Sequence, residues 1–302
     1  MKRTALICVL LLGFFGAIQA ADSNRHVVII SLDGSKPSFL QDQYVPNLRA
    51  LWKNGSYTWS AQTVNPSVTL VAHASMLTGL APAKHGVDWN DYKPDRGEIG
   101  VPTLFDLAHK AGLQTIFVGS KRKLRHLDRP GTASTSAFPR TELQETGIDP
   151  KNPDAEPSPM FDTVKAVRDC FGRVTPNLCF IHFAQPDIAG HKFGWESQEI
   201  LYAVRQLDQQ IGALLAYWRK TGFLNNTMII VTSDHGGHEK THGTDKGEDM
   251  TIPWVAWGSN IKQDYQIESP VRTMDTAATA AFFLKLRIPK DWDGEVVTEI
   301  FR

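Results

Sequence analysis

Three apolar runs in this 302-residue chain end in an acid, and two of them carry histidines just beyond it. His26-Val27-Val28-Ile29-Ile30 leads through Ser31-Leu32 to Asp33-Gly34. Phe180-Ile181-His182-Phe183 leads to Asp187, and His191 follows four residues later, one helical turn away and on the same side. Met228 to Thr232 leads to Ser233-Asp234-His235-Gly236-Gly237, with His242-Gly243 seven residues on. A single Asp before Gly is as often a turn former. Three such ends, furnished with Asp33, Asp187, His191, Asp234, His235 and His242, point to nitrogen and oxygen ligation of metal, of the kind zinc accepts. Six ligands suit two cations with open positions; ions about 3.5–4 Å apart can activate an attacking oxygen and stabilise a leaving one. His238 reads as a residue behind these ligands or at the surface.

The candidate nucleophile lies in Asn65-Pro66-Ser67-Val68-Thr69-Leu70, just ahead of a short predicted helix. The amino end of a helix favours a phosphoryl anion through its backbone N–H groups and dipole, and a threonine beside a metal ionises far below its free pKa. His73, on that helix, reads as a packed or hydrogen-bonded histidine.

The elements that must hold these residues are short β-branched runs at His26–Leu32, Thr115–Val118, Leu178–Phe183, Met228–Thr232 and Ile252–Trp257. Amphipathic stretches alternate with them at Thr103–Lys110, Phe161–Phe171 and Ser197–Lys220. The alternation predicts an α/β fold with a mainly parallel central sheet and helices on both faces, in which ligands bind at the carboxyl ends of the strands. Residues 22–302 form one domain in this reading. It is interrupted by a Pro-rich loop at about 121–160, whose segment Pro130 to Pro159 is too punctuated for a core element and is read as a flap over the site.

The balance of 32 Lys and Arg against 32 Asp and Glu excludes a general binder of nucleic-acid duplexes. Lys121, Arg122, Lys123, Arg125 and Arg129 form a local basic run, read as a solvated loop. Trp195 reads as core, and Trp89 and Tyr92 flank Asn90 as candidates for stacking on a leaving group. At the amino end, Lys2 and Arg3 precede an apolar run to Ile18 and small residues at Ala20-Ala21. This is the pattern of a signal peptide cut near Ala20, giving a periplasmic or secreted protein without a stable membrane anchor. Export would remove Cys8 and put Cys170 and Cys179 in an oxidising compartment, where a disulfide between them is expected.

The set Leu32-Asp33-Gly34, Thr69, Thr78-Gly79-Leu80-Ala81-Pro82, His85-Gly86-Val87, Asp187-Ile188-Ala189-Gly190-His191, Ser233-Asp234-His235-Gly236 and Thr241-His242-Gly243 resembles the type I phosphodiesterase/nucleotide pyrophosphatase family of the alkaline phosphatase superfamily. The match runs over about residues 26 to 260. The resemblance implies an alkaline phosphatase-like fold and two divalent metals, zinc above all. One would be held by Asp33, Thr69, Asp234 and His235, the other by Asp187, His191 and His242. Thr69 would form a phospho-threonine, and Asn90 would donate to a phosphoryl oxygen. Two positions depart from the family: Leu70 stands where nucleotide-cleaving members carry an aromatic residue, and Ala72 where the family has an asparagine.

The leading expectation is therefore an exported two-zinc phosphodiesterase or pyrophosphatase acting on small phosphoesters. A phosphomonoesterase or phosphonate hydrolase with the same metals is the alternative among hydrolases. A non-catalytic metal-binding relative is disfavoured by the presence of all seven expected ligand and nucleophile positions, Thr69 included, an arylsulfatase by threonine at position 69, and a phosphomutase by the export signal. Natural substrate and oligomeric state are left open.

Overall fold

The computed structural model describes residues 21–41, 44–148, 151–152 and 158–302. The proposed signal peptide, with Cys8 and Ala20, lies outside the described residues. The strands are β1 (His26–Leu32), β2 (Ser56–Gln62), β3 (Thr115–Val118), β4 (Thr135–Ala137), β5 (Leu178–Phe183), β6 (Thr227–Thr232), β7 (Thr251–Gly258) and β8 (Tyr265–Gln266). They form an eight-stranded sheet in the order β4-β3-β5-β1-β6-β7-β2-β8. From β4 to β6 every pairing is parallel, and among the described residues β7 alone runs against the rest.

Apolar runs without alternation, such as HVVIISL in β1, belong in a sheet buried on both faces. Val27 and Ile29 point into one apolar cluster, Val28, Ile30 and Leu32 into another. The first is covered by α2 (Thr69–Thr78), α3 (Leu104–Lys110) and α7 (Asp275–Phe283), the second by α1 (Pro46–Lys53), α4 (Thr163–Phe171) and α6 (Gln198–Thr221). The helix α5 (Gln185–Phe193) follows β5. The mainly parallel sheet with helices on both faces is thus as expected.

Local chemistry sets the helix ends. Ser197 caps α6 by accepting from the Ile200 amide, and Gly222 ends it in the left-handed conformation with φ 75°. Val45 gives α1 no side-chain cap. The buried Asp208 of α6 supplies one from a distance, accepting from the Leu48 amide at 2.8 Å and the Asn47 side chain at 2.9 Å.

One expectation is corrected here. Cys170, at the end of α4, and Cys179, in β5, are buried free thiols, not a disulfide. The Cys170 sulfur takes the Thr135 hydroxyl at 3.7 Å. Burial pushes both thiols up, away from the thiolate that disulfide chemistry requires. The Pro-rich segment carries a short, partly exposed edge strand, β4, which pairs with β3. The short helix Glu142–Thr146 that follows is tied back by Glu145, which accepts from Arg122 Nε at 3.2 Å.

Candidate metal centre and nucleophile

The strand order β3-β5-β1-β6 brings four loops side by side at the carboxyl edge of the sheet. Asp33 follows β1, Asp187 stands in the first turn of α5 after β5, and Asp234 and His235 follow β6. All four are buried. His191 is on the next turn of α5 with its ring half-exposed, its Nε2 3.3 Å from Asp187 Oδ1. His242 reaches in with its Nε2 3.5 Å from the same oxygen and 3.1 Å from His191 Nε2. The structure thus brings together the six acid and histidine side chains among the seven expected ligands.

Their hydrogen bonds show what each is prepared to do. His191 Nδ1 meets the Lys240 carbonyl at 3.0 Å, His235 Nδ1 the Gly236 carbonyl at 2.8 Å, and His242 Nδ1 the Ser67 carbonyl at 2.9 Å. A carbonyl only accepts, so each Nδ1 carries the proton and each Nε2 is turned into the site as a ligand atom. Asp33 Oδ1, Asp187 Oδ1, Asp234 Oδ2 and His235 Nε2 are buried and make no hydrogen bond. Nevertheless, His235 Nε2 stands 3.3 Å from both Asp33 Oδ1 and Asp234 Oδ2 and 4.0 Å from Asp187 Oδ1. Buried polar atoms are normally satisfied. Orphans converging on one another, three of them carboxylate oxygens, form a donor set that a divalent cation could satisfy. Two compact groups result, Asp33 with Asp234 and His235, and Asp187 with His235 and His242. His235 stands in both, so the division into two ligand sets is less sharp than the one expected.

The charges respond to this crowding. Burial alone would push Asp33 up, but the Lys121 ammonium and His182 hold it well below the usual carboxylate range. Burial works against a charged His235, yet Asp234, Asp33 and Asp187 raise it to about 9. His242 moves the other way, to about 4, through burial and the neighbouring His235.

Thr69 is the first residue of α2 and is buried. Asn90 lies beside it, its Oδ1 accepting from the Leu70 amide at 2.9 Å. That bond fixes the asparagine with its NH2 free to donate elsewhere, and it also spends one helix-end amide expected to be open to an anion. His73 is a hydrogen-bonded histidine, as read from sequence: Nε2 meets Ser31 Oγ at 2.7 Å and Nδ1 the Thr69 carbonyl at 2.7 Å. His238 braces the β6 loop through Asp249 Oδ1 at 2.7 Å. Trp195 is core, donating to the Gly34 carbonyl at 2.8 Å. A Cβ on Gly190 or Gly237 would sit 2.7 or 2.2 Å from its ring, so glycine there lets two ligand loops close on one indole. Trp89 and Tyr92 each pack against His126, at centroid distances of 5.5 and 5.6 Å.

Two residues at the centre were not found from sequence. His182, within β5, holds Asp33 Oδ2 through Nε2 at 2.8 Å, with Ser120 Oγ at 2.9 Å on its Nδ1. Its place inside an apolar strand, on the register that pairs with Ser31, was the available signal. Lys121 corrects the solvated-loop reading of the basic run. It follows β3 at the same sheet edge, is buried, and puts Nζ 2.6 Å from Asp33 Oδ2 and 2.6 Å from Asp187 Oδ2. Two carboxylates repay the desolvation that a lone buried ammonium would suffer.

Residues 27–255 match the family model for type I phosphodiesterase/nucleotide pyrophosphatase. The chain belongs to this family. It is 27% identical over 242 residues to a venom phosphodiesterase of Crotalus durissus collilineatus, covering 74% of this chain and 28% of the relative. It is 28% identical over 246 residues to human ectonucleotide pyrophosphatase/phosphodiesterase family member 7, covering 78% of this chain and 53% of that protein. The chain therefore spans about a quarter to a half of the length of these curated relatives. Among solved structures, murine ectonucleotide pyrophosphatase/phosphodiesterase 5 superposes with a TM-score of 0.72 at 16% identity, covering 92% of this chain and all of that one. A phosphonate monoester hydrolase from Silicibacter pomeroyi follows the same fold with a TM-score of 0.64 at 16% identity, over 92% of this chain and 76% of that one. Among the described residues of this family member, no helix is long and apolar enough to cross a membrane.

Proposed function

We propose that this chain is an exported phosphoric ester hydrolase acting on small phosphodiesters or pyrophosphates with two divalent cations, zinc fitting the mixed nitrogen and oxygen donors best. Family membership supports the reaction class. The observation that carries the reading is the set of four buried, unbonded atoms, Asp33 Oδ1, Asp187 Oδ1, Asp234 Oδ2 and His235 Nε2, with Thr69 beside them at a helix start. Asp33, Thr69, Asp234 and His235 would hold one ion and Asp187, His191 and His242 the other. Bound there, the ions would stabilise the charge developing on attacking and leaving oxygens.

Thr69 Oγ1 loses its proton to solvent water and attacks phosphorus. The new bond to Oγ1 forms as the bond from phosphorus to the leaving-group oxygen breaks, giving a phospho-threonine. Water then attacks the same phosphorus and returns the threonine oxygen. Asn90, held by the Leu70 amide, donates its NH2 to a phosphoryl oxygen, an interaction that strengthens as charge builds there. Leu70 gives the leaving group no aromatic platform, which favours compact substrates over stacked bases.

The test is release of 4-nitrophenol from bis(4-nitrophenyl) phosphate by the mature protein, with zinc and with a chelator. Metal-dependent turnover that Thr69→Ala abolishes at near-normal metal content is expected; turnover retained by that variant would refute the covalent route. Export is tested by fractionating expressing bacteria and reading the amino terminus. Cytoplasmic protein with Met1 intact would refute it.

A further inference from the structure

Lys121 is in an unusual position for a residue that only neutralises carboxylates. Its ammonium has three donors. Two are taken by Asp33 Oδ2 and Asp187 Oδ2, the outer oxygens of acids whose inner oxygens face different ligand groups. The third reaches toward Thr69 Oγ1 at 3.4 Å, a long contact for a hydrogen bond. When the threonine oxygen turns a lone pair to phosphorus, the non-attacked phosphoryl oxygens are its next neighbours. The third donor is then better matched to one of those, which carries formal negative charge.

Electrostatics points the same way. Lys121 sets a buried positive charge 3.4 Å from the nucleophile's oxygen, where its attraction grows with the charge on a bound phosphoryl group. A diester presents a single negative charge over its non-bridging oxygens. A monoester or inorganic phosphate presents two. We propose that Lys121 binds a non-attacked phosphoryl oxygen and biases the site toward doubly charged phosphoryl groups, so that monoesters are turned over alongside diesters. This rests on the phosphoester-hydrolase reading above and widens its substrate class from diesters and pyrophosphates to monoesters.

The experiment compares wild type, Lys121→Met and Lys121→Gln in the zinc-loaded protein. It measures kcat/KM for 4-nitrophenyl phosphate and bis(4-nitrophenyl) phosphate, bound zinc by elemental analysis, and inorganic phosphate affinity by calorimetry. Expected in both variants is a loss of about 10²-fold on the monoester, the usual effect of removing one oxyanion donor. Phosphate binding weakens in parallel, the diester falls less than tenfold, and zinc content holds. Equal losses on both substrates, or unchanged phosphate affinity, would overturn the proposal and leave Lys121 a positioning residue for the two acids. Loss of zinc in both variants would overturn it in the same way. A wild-type protein that hydrolyses neither ester would refute the hydrolase reading instead, and the phosphate titration would still test Lys121.

Discussion

His182 gives the sharpest test of the idea that the acids are held in place before a metal arrives. The ring is fully buried in β5, and because a carboxylate only accepts, the proton of the 2.8 Å contact with Asp33 Oδ2 belongs to Nε2. His182→Ala removes that donor and the Ser120 contact together. Partners behind metal ligands are typically worth 10–100-fold in metal affinity, about 1.4–2.7 kcal/mol. Here Lys121 still holds the same oxygen at 2.6 Å, which places the expected loss toward the lower end, near tenfold. His182→Gln, whose amide nitrogen can stand close to the place of Nε2, should recover most of it. The assay is competition for zinc against a chelator of known affinity, with melting of the metal-free protein as a control for folding. Affinity within threefold of wild type in a folded His182→Ala protein would refute the reasoning, since Asp33 would then orient itself.

Asn90→Ala should lower turnover by about 10²–10³-fold with little change in zinc content, because it removes a donor aimed at the phosphoryl group; an unaffected rate would turn that loop away from the reaction. Asp208→Ala should destabilise the fold by about 2–4 kcal/mol in urea, since it strips the borrowed cap from α1 and leaves the Leu48 amide unpaired. Asp208→Asn, which keeps one acceptor, should cost about half as much, and equal costs would show that the charge itself is what matters. His85 is buried against Ser75 Oγ at 3.0 Å, and burial lowers its pKa from 6.5 to about 4. The unfolded chain therefore binds the extra proton first, and stability is lost as pH falls from about 6.5 to 4, by up to about 3 kcal/mol. His85→Gln should flatten that limb of the stability curve, and an unchanged slope would assign it to other groups.

How much was legible depended on whether a residue's role is set locally. β1, β3 and β5 stand where short apolar runs placed them, and the candidate ligands were readable as a group because a strand end fixes where the next side chain emerges. The direction of β7 was not, since an apolar run buried on both faces reads the same either way along the sheet. Nor was β2, whose residues alternate between buried and exposed, a pattern set by its place near the sheet edge. The free thiols Cys170 and Cys179 show the limit of reading chemistry from spacing, because nearness in sequence does not supply the thiolate. Lys121 shows the same limit for charge. Within its basic run nothing separates it from Arg122, which pairs with Glu145 nearer the surface. What buries Lys121 comes from β1 and β5, and no local pattern encodes that.

Three carboxylates gathered within a few ångströms should repel one another and loosen the sheet edge before any cation binds. The fold meets this with fixed positive and donor groups on the outer oxygens, and with His235 between the inner ones. Lys121 spans Asp33 and Asp187, His182 donates to Asp33, and the Gly34 amide donates to Asp234 Oδ1 at 3.1 Å. The inner oxygens stay unbonded and face one another. Trp195 fills the space behind, so the loops after β1, β5 and β6 cannot spread without opening a void the size of an indole. Order before binding is what lets metal affinity be spent on the reaction instead of on assembling the site. It also explains why a cation at position 121 is compatible with the proposed metal centre: it neutralises the half of each carboxylate that a bound ion would not need.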